Sequence, residues 1–473
     1  MSVFLFLLAV MFLIVEGWLI AGFFVRDRWL RWSLALPLSA LANVLLFFIF
    51  TVASIPLSSL WLVVGHMVIV GIAITAKRFS FLVPHSERAT SQPVTSNEMP
   101  QNNRMLLKFC CIAILMSAFF YSFCHAVLLP TFQYDSATNW IMRSKISFLE
   151  ERIVFDNDPP HEAIKKPHYP FLLHAWHLMG NLGQQKWSDR AANSITFLFT
   201  WSMLWSVGLL LARLRGRTAG LLSVTLLFCI PLFAVHLGEG YADHLVALFG
   251  ALALLTFAQY RSSREFRWLL LSGIFAASAV WTKDEGLFFV FFPWLAMLGA
   301  GWLIDRVPTF ADAWRTAVTA AVLGFPWPIF AWLSGFGLTP HGQSDTQFRW
   351  HAQGLLYAFS ALYQSGSFGI LWYVLPAALL VILLRALRRA TSADRTQLIT
   401  LLFGALTFGI VLAIYTLTPN VEYLLNAEAF DRQMLTPSVL LVLACFLVLW
   451  SCSHSHVEKG EEGGGVRSDR ILL

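Results

Sequence analysis

The sequence is dominated by apolar stretches of about twenty residues, which alternate with short polar segments that carry most of the charge. A helix of that length crosses the hydrocarbon core of a bilayer. Hydrophobic residues make up 57% of the chain and charged residues only 13%, which is well below the usual charged share. We therefore predict an all-α integral membrane protein. Membrane topology also explains the net charge of +6, so the chain is not expected to bind nucleic acid.

About thirteen transmembrane helices are predicted from the apolar stretches. They cover residues 3–25, 33–52, 57–76, 107–129, 193–212, 218–236, 242–260, 268–282, 286–304, 316–335, 367–385, 397–416 and 435–451. Of the 33 Lys and Arg residues, 23 fall on one of the two sides that these helices define. Cytoplasmic loops carry the excess of basic residues. The C-terminus is therefore expected in the cytoplasm, and the N-terminus and the long loop at 130–192 outside.

The same pattern predicts four regions. Residues 1–76 form an N-terminal three-helix extension, and the Ser-, Pro- and Asn-rich residues 77–106 form a flexible cytoplasmic linker. Residues 107–451 form the main transmembrane module, and residues 452–473 a disordered cytoplasmic tail. The six cysteines all lie in or beside apolar stretches, so we interpret them as small core residues rather than as disulfides.

Five short polar motifs fall at helix ends on the predicted outer side: "YDSATNW", "KKPHYPFLLHAW", "GEGYADH", "TKDEG" and "NAEAFDRQ". Charges at a membrane boundary are often only solvated or anchored to headgroups. The occurrence of all five on one side instead favours a single site. The candidate site residues that they and the adjoining segment contribute are Asp135, Arg143, Lys166, His168, Tyr169, Glu239, Asp243, Lys283, Glu285 and Arg432.

Asp135 precedes "SATNWIMRSKISFL", whose apolar spacing predicts a short helix at the membrane interface. A carboxylate held there could act as the general base for an acceptor hydroxyl or amine. The alternative is that Asp135 only caps that helix, which is a common use of aspartate. Arg143 and Lys145 on the same segment could bind an anion or a lipid headgroup.

The "KKPHYPFLLHAW" motif and the residues after it supply several further candidates. His174 and His177 are spaced to share a helix face and could bind a metal, but no carboxylate follows at a known motif spacing. Buried structural histidines are the alternative. Tyr169, together with Trp140, could stack on a sugar face or belong to the aromatic belt of the interface.

Lys283 and Arg432 are the two cations best placed to bind a phosphate group. Lys283 has Asp284 and Glu285 beside it, so the three charges could instead neutralise one another. Asp431 is likewise the alternative partner of Arg432. Glu239 and Asp243 share a tight turn, where two acids repel unless a cation or a donor lies between them.

In the order and sidedness of these motifs, the chain resembles the GT-C superfamily of polytopic glycosyltransferases, which take sugars from polyprenyl-phosphate donors. It looks closest to the protein-mannosyltransferase and aminoarabinose-transferase branch, over roughly residues 107–450. In that family the acid of the first outer loop is catalytic, and Asp135 matches it by position. Many relatives carry an Asp-Glu pair there, whereas Asp135 is followed by Ser136. Lys283 and Arg432 match positions for which the resemblance implies contacts to the lipid phosphate.

The resemblance implies an inverting sugar transfer at the outer face of a bacterial inner membrane. The donor would be a polyprenyl-phosphate-linked sugar, and the acceptor a glycan, lipid or protein. A divalent metal is possible and no other cofactor is expected. The main alternative is a transporter or flippase for a lipid-linked anion, which would carry ionisable residues inside its spans. Glu16 is the one clear acid at such a position. An oligosaccharide ligase and a non-enzymatic scaffold are further alternatives.

Overall fold

The computed structural model describes residues 3–80, 101–131, 133–156, 158–164, 166–335, 350–364, 366–388, 392–418, 424 and 428–452. Within these ranges the regular structure is helical and no strand occurs, as the sequence predicts. The α-helices are α1 (Val3–Phe24), α2 (Arg28–Ser33), α3 (Ala35–Val52), α4 (Ser59–Ser80), α5 (Gln101–Phe123), α6 (Met142–Leu149), α7 (Leu172–Gly180), α8 (Asp189–Arg215), α9 (Arg217–Phe228), α10 (Pro231–Glu239), α11 (Asp243–Ser263), α12 (Phe266–Thr282), α13 (Phe292–Asp305), α14 (Phe310–Gly324), α15 (Pro326–Leu333), α16 (Ala352–Gln364), α17 (Leu371–Arg388), α18 (Ser392–Leu417) and α19 (Glu428–Cys452). Three π-helical segments cover Cys124–Leu128, Ser136–Ile141 and Leu287–Phe291.

Nine helices in these ranges are long and apolar enough to cross a membrane, and eleven if each of two bent helix pairs counts as one span. The bent pairs are α9 with α10, at 80°, and α14 with α15, at 45°. Two further predicted spans fall on α12 and α17, whose apolar parts are shorter than a full span. The multi-pass membrane architecture is thus confirmed, whereas the count of thirteen is not.

Helix α11 lies at the centre of the bundle, and 89% of the residues in its apolar stretch are buried. It packs against α8, α12 and α19. Its sequence is apolar on all sides, which suits a helix surrounded by other helices. Helices α4 and α5, with 22% and 17% buried, lie at the periphery. The charged ends of α11 and α19 are therefore carried by the most enclosed helices.

The N-terminal helices pack closely together and also contact the main module. α1 contacts α3 and α4, and α3 also contacts α7, α8 and α12. Glu16 of α1 and His66 of α4 are both buried and lie 2.6 Å apart, between Oε2 and Nδ1. The predicted four-region division stays a prediction. Most of the linker, at 81–100, and nearly all of the tail, at 453–473, lie outside the described residues.

The long loop at 130–192 contains the helical segment that the sequence predicts after Asp135. It starts as the π-helical turn Ser136–Ile141 and continues directly into α6. The α10–α11 turn approaches this segment closely at Gly240, which has a φ of +72°. A Cβ at Gly240 would lie 2.6 Å from Ser136 Oγ, so both the backbone angle and the space favour glycine.

The turn between α12 and the next π-helical segment is held just as closely at Gly286. A Cβ at Gly286 would lie 1.9 Å from the Ala279 carbonyl oxygen, which the backbone of α12 holds in place. This close approach fixes the turn that carries residues 283–285 at the end of the bundle.

We predict that Gly286→Ala lowers the free energy of unfolding by about 2 kcal/mol, because the added methyl group overpacks a rigid backbone contact. Gly299→Ala in α13 is the matched control, since a Cβ added there would meet nothing within 4 Å. Denaturant titration in detergent micelles measures both. Equal stability of the two variants would contradict the packing argument.

Candidate functional site

Asp135 and Arg432 form an ion pair at one end of the bundle, although 297 residues separate them in sequence. Arg432 is the fifth residue of α19, and Asp135 lies just before the π-helical turn Ser136–Ile141. Their side chains are 29% and 25% exposed, Asp135 being the more exposed of the two, so the pair is open to an incoming molecule. The Asp135 carboxylate makes no capping hydrogen bond, which removes the alternative of a helix cap.

Arg432 does not pair with its neighbour Asp431. The Asp431 carboxylate accepts a hydrogen bond from Ser367 Oγ instead. The guanidinium of Arg432 also lies 5.3 Å above the ring of Tyr241, which in turn stacks on His236 at 4.7 Å. Burial raises the pKa of Tyr241 to about 12, against the opposing effect of Arg432, so its hydroxyl stays protonated at neutral pH.

Lys283 forms the buried part of the same cluster. Its Nζ lies 2.9 Å from Asp243 Oδ1 and 2.9 Å from Glu285 Oε1. Burial by itself would lower the pKa of Lys283, but the two carboxylates outweigh it and raise that pKa above its ordinary value. Asp243 stands in the first turn of α11, where the helix dipole also favours a negative charge. Lys283 is therefore a charged residue with two fixed partners.

Asp284 points away from this cluster, although it stands between Lys283 and Glu285. It accepts a hydrogen bond of 3.3 Å from Trp327 Nε1 and is only 8% exposed. Burial, assisted by the charge of Glu285, raises the pKa of Asp284 to about 8. The alternative that Lys283, Asp284 and Glu285 neutralise one another therefore holds for Glu285, which pairs with Lys283, but not for Asp284, whose carboxylate accepts from Trp327.

Glu239 is linked to the segment that carries Asp135 by a hydrogen bond from Gln133. Gln133, two residues before Asp135, donates a hydrogen bond of 2.8 Å from Nε2 to Glu239 Oε1. Gln433, which follows Arg432, has its Nε2 3.5 Å from Glu285 Oε1. The sequence interpretation missed both glutamines, and only their adjacency to candidate residues could have indicated them.

Arg143 lies deeper than the sequence interpretation placed it. It is fully buried, and it donates hydrogen bonds to the carbonyl oxygens of Val154, at 2.8 Å, and Tyr169, at 2.6 Å. Burial lowers the pKa of Arg143 to about 9. The expectation that it meets a lipid headgroup or a soluble anion is corrected accordingly, because the surrounding chain encloses its guanidinium.

Three candidates of the "KKPHYP" motif lie beside the cluster. Tyr169 is buried, and its ring lies 6.0 Å from Lys283 Nζ and stacks on Trp140 at 5.3 Å. Since both rings are enclosed, neither offers an open face for a sugar. Lys166 is half-buried; burial lowers its pKa, against the opposing charges of Asp135 and Glu285. The ring of His168 lies at the edge of Tyr169.

His174 and His177 share one partner rather than pointing at an open coordination site. Their Nδ1 atoms lie 2.8 Å and 2.9 Å from Ser144 Oγ, and both rings are fully buried. Burial lowers the pKa of each well below its ordinary value. Within the part of the chain that the structure describes, no three His, Cys, Asp or Glu side chains are grouped as metal ligands.

The fold and this cluster define a class of protein: a multi-pass helical membrane protein with a charged site at one end of its bundle, half open and half buried. Residues 165–339, a little over a third of the chain, match the family model described as dolichyl-phosphate-mannose-protein mannosyltransferase. This match confirms over that range the resemblance to polytopic glycosyltransferases predicted from the motifs. Lys166, Asp243 and Lys283 lie inside the matched range, whereas Asp135 and Arg432 lie outside it.

Two solved structures are similar to the chain. One is ArnT from Cupriavidus metallidurans bound to undecaprenyl phosphate, at 14% identity and a TM-score of 0.47, covering 74% of this chain and 60% of that one. The other is the same protein in the apo state, at 13% identity and a TM-score of 0.46, covering 76% and 62%. The chain thus spans about three fifths of the length of that protein. No curated protein matches the sequence.

We predict that the thermal midpoint of the wild type falls relative to that of Asp284→Asn as the pH rises from about 4 to 8. The pKa of Asp284 in the folded chain, about 8, lies above its unfolded value of about 4. Its stabilising contribution is therefore complete below pH 4 and is lost as the pH rises through 8. Asparagine still accepts the Trp327 hydrogen bond but does not ionise.

At pH 8 we expect the thermal midpoint of the wild type to have fallen by at least about 3 °C relative to that of Asp284→Asn. Asp158→Asn, at an exposed acid of the 130–192 loop, is the control and should parallel the wild type. If the Asp284→Asn curve also parallels the wild type from pH 4 to 8, the buried carboxyl does not titrate in this range.

Proposed function

We propose that the protein is a membrane glycosyltransferase that moves a sugar from a polyprenyl-phosphate donor to an extracytoplasmic acceptor. The observation that carries this proposal is the Asp135–Arg432 pair, which is a quarter or more exposed and lies beside the buried Lys283 cluster. It combines a carboxylate, which can take the proton of an acceptor hydroxyl, with a guanidinium, which can bind a phosphate. The family match over residues 165–339, which hold the Lys283 cluster, supports the same class of reaction.

Arg432 is the cation that meets the donor phosphate first. It is a quarter exposed, whereas the ammonium of Lys283 is buried between two carboxylates. A guanidinium binds phosphate oxygens in pairs, through parallel N–H groups. Lys283 acts behind it as a fixed positive charge, and its half-buried neighbour Lys166 adds a second one. Such preorganised charges stabilise the leaving phosphate more in the transition state than in the ground state.

Binding of the phosphate frees the Asp135 carboxylate to act as the general base. With no donor present, Arg432 and Asp135 neutralise each other. A donor phosphate that takes over the guanidinium leaves the Asp135 carboxylate to an acceptor hydroxyl or amine. Asp135 then removes the acceptor proton as the nucleophile attacks the anomeric carbon. The bond from that carbon to the phosphate oxygen breaks, polyprenyl phosphate departs with the electron pair, and the anomeric configuration is inverted.

The position of the cluster suits a lipid-linked donor. The ends of α11, α12 and α19 meet there, at the margin of the apolar bundle. A polyprenyl chain can remain in the bilayer while its phosphate-sugar bond reaches this margin. By the distribution of basic residues this end faces outward, which agrees with a plasma-membrane enzyme acting on a glycan, lipid or protein outside the cytoplasm.

A lipid-linked anion transporter is the second candidate, and the buried Glu16–His66 pair favours it. Both side chains lie inside predicted spans, where ionisable residues mark ion or proton paths in transporters. The pair belongs to the N-terminal helices, outside the matched range. Donor lipid that crosses proteoliposomes without sugar transfer would support this alternative.

We predict that Asp135→Asn lowers the rate of sugar transfer at least about 100-fold, because the amide accepts no proton. Binding of the donor should be retained or tightened, since Arg432 loses its competing partner. Transfer is measured with labelled donor in proteoliposomes, and Asp158→Asn is the control. Transfer by Asp135→Asn near the wild-type rate would remove Asp135 from the catalytic role.

We predict that Arg432→Gln raises KM for the donor lipid at least about tenfold, because a charge-assisted bond to phosphate is lost. Arg432→Lys keeps the charge but loses the paired N–H geometry, so its KM should lie between those of the wild type and of Arg432→Gln. Arg190→Gln, an exposed arginine at the start of α8, is the control. Unchanged donor kinetics in Arg432→Gln would show that the phosphate binds elsewhere.

A further inference from the structure

His161 lies between two acids in the loop that follows α6. Its Nδ1 is hydrogen-bonded to Asp156 Oδ1, and its Nε2 lies 2.5 Å from Glu150 Oε1. The ring itself is buried, with 7% of the side chain exposed. Carboxylate oxygens only accept hydrogen bonds, so both ring nitrogens can be satisfied together only when both carry a proton. The geometry is that of an imidazolium.

Among the described residues, the charged side chains that pair with this ring or with its two acids belong to the same loop. Arg152 lies 2.8 Å from the second oxygen of Glu150, and it is 55% exposed. The two acids are 29% and 44% exposed, whereas Asp158 and Glu162 are exposed. The hydrogen bonds of Asp156 and Glu150 raise the pKa of His161 above its ordinary value. Because its two nitrogens face different acids, the acids do not converge on one point as metal ligands would.

The two hydrogen bonds of His161, to Glu150 and Asp156, form a bridge that closes the segment 150–156 into a short arch. We call this segment the clasp. Inside it, the carbonyl of Val154 accepts the hydrogen bond from Arg143, whose Nη1 donates to the carbonyl of Tyr169. The ring of Tyr169 lies beside Lys283. The clasp is thus joined to the buried cluster through Arg143.

A second contact runs from the clasp to the acid beside the cluster. The ring of Phe155 stacks on Trp327 with centroids 6.1 Å apart, and Trp327 donates its indole hydrogen bond to Asp284. On the opposite side, the amide of Leu57 donates to the carbonyl of Glu151. The clasp therefore contacts both the site and the N-terminal helices.

We propose that His161 is a positioning residue: its imidazolium closes the clasp, and the clasp holds Arg143 and Trp327 against the charged cluster. When the proton leaves, one ring nitrogen turns a lone pair toward a carboxylate and the clasp opens. Folded-state protonation raises stability below the unfolded pKa of about 6.5, and this contribution is lost as the pH rises through the higher folded value. A consequence for sugar transfer rests on the proposed function, whereas the clasp itself does not.

The first test is the titration of His161 in the full-length protein in lipid nanodiscs, by NMR of ¹³C-labelled histidines. The chain has 13 histidines, and the signal missing from His161→Gln assigns His161. We expect it to titrate above about 6.5. Asp156→Asn and Glu150→Gln should each lower its titration point, whereas Glu162→Gln should not. Titration at or below 6.5, or insensitivity to both neighbours, would overturn the proposal.

The second test is hydrogen exchange of peptides covering 150–156 and 166–172, corrected for the intrinsic pH dependence of exchange. In the wild type both should exchange at least about tenfold faster above the titration point than below it, since charge-assisted bonds are lost. Glu162→Gln should repeat this change, and His161→Gln should exchange fast at every pH. If the exchange rate of segment 166–172 does not change as His161 titrates, His161 does not act on the site. Neither test measures enzymatic activity, so both remain informative if the transferase proposal fails. If a variant does not fold, the pH series of the wild type is sufficient.

Discussion

The buried ion pair between Lys283 and Asp243 is the interaction on which the rest of this end of the bundle depends. Moving either charge out of water is costly, and the cost is offset only because both are held at 2.9 Å and Glu285 adds a second carboxylate. Removing one partner of such a pair costs about 3–5 kcal/mol. The pair therefore ties the start of α11 to the turn after α12, and that turn leaves Asp284 facing Trp327 on the other side.

Exposure then separates the roles of the charged residues. Asp135 and Arg432 are a quarter or more exposed, and we propose that they exchange partners with the donor and the acceptor. Lys283, Asp243 and Arg143 are buried, and each is held by partners within the chain. The clasp adds an outer layer in which His161 is held by partly exposed acids. The partly exposed contacts of His161 thus connect, through the clasp, to the buried hydrogen bonds of Arg143.

The composition of the site was largely predictable, and its contacts were not. Helix ends are visible in the sequence, so Asp135, Asp243, Lys283 and Arg432 could be assigned to one end of a bundle. Their partners could not: local sequence favoured Asp431 for Arg432, yet the partner is Asp135, 297 residues away. Arg143 was expected to meet an anion or a lipid headgroup because it lies on the segment predicted as an interfacial helix, but its guanidinium donates to the carbonyls of Val154 and Tyr169. The clasp gave no sequence signal beyond ordinary loop residues.

The sequence by itself determined an all-helical membrane protein whose charges collect at helix ends. It could do so because the length and polarity of each stretch are local properties, and a bilayer admits few structures that satisfy the backbone. Only the tertiary structure decided which of these charges are paired, which are buried and which stay open. Those outcomes depend on how α11 packs against α12 and α19, and distances between side chains so remote in sequence are fixed by that packing alone.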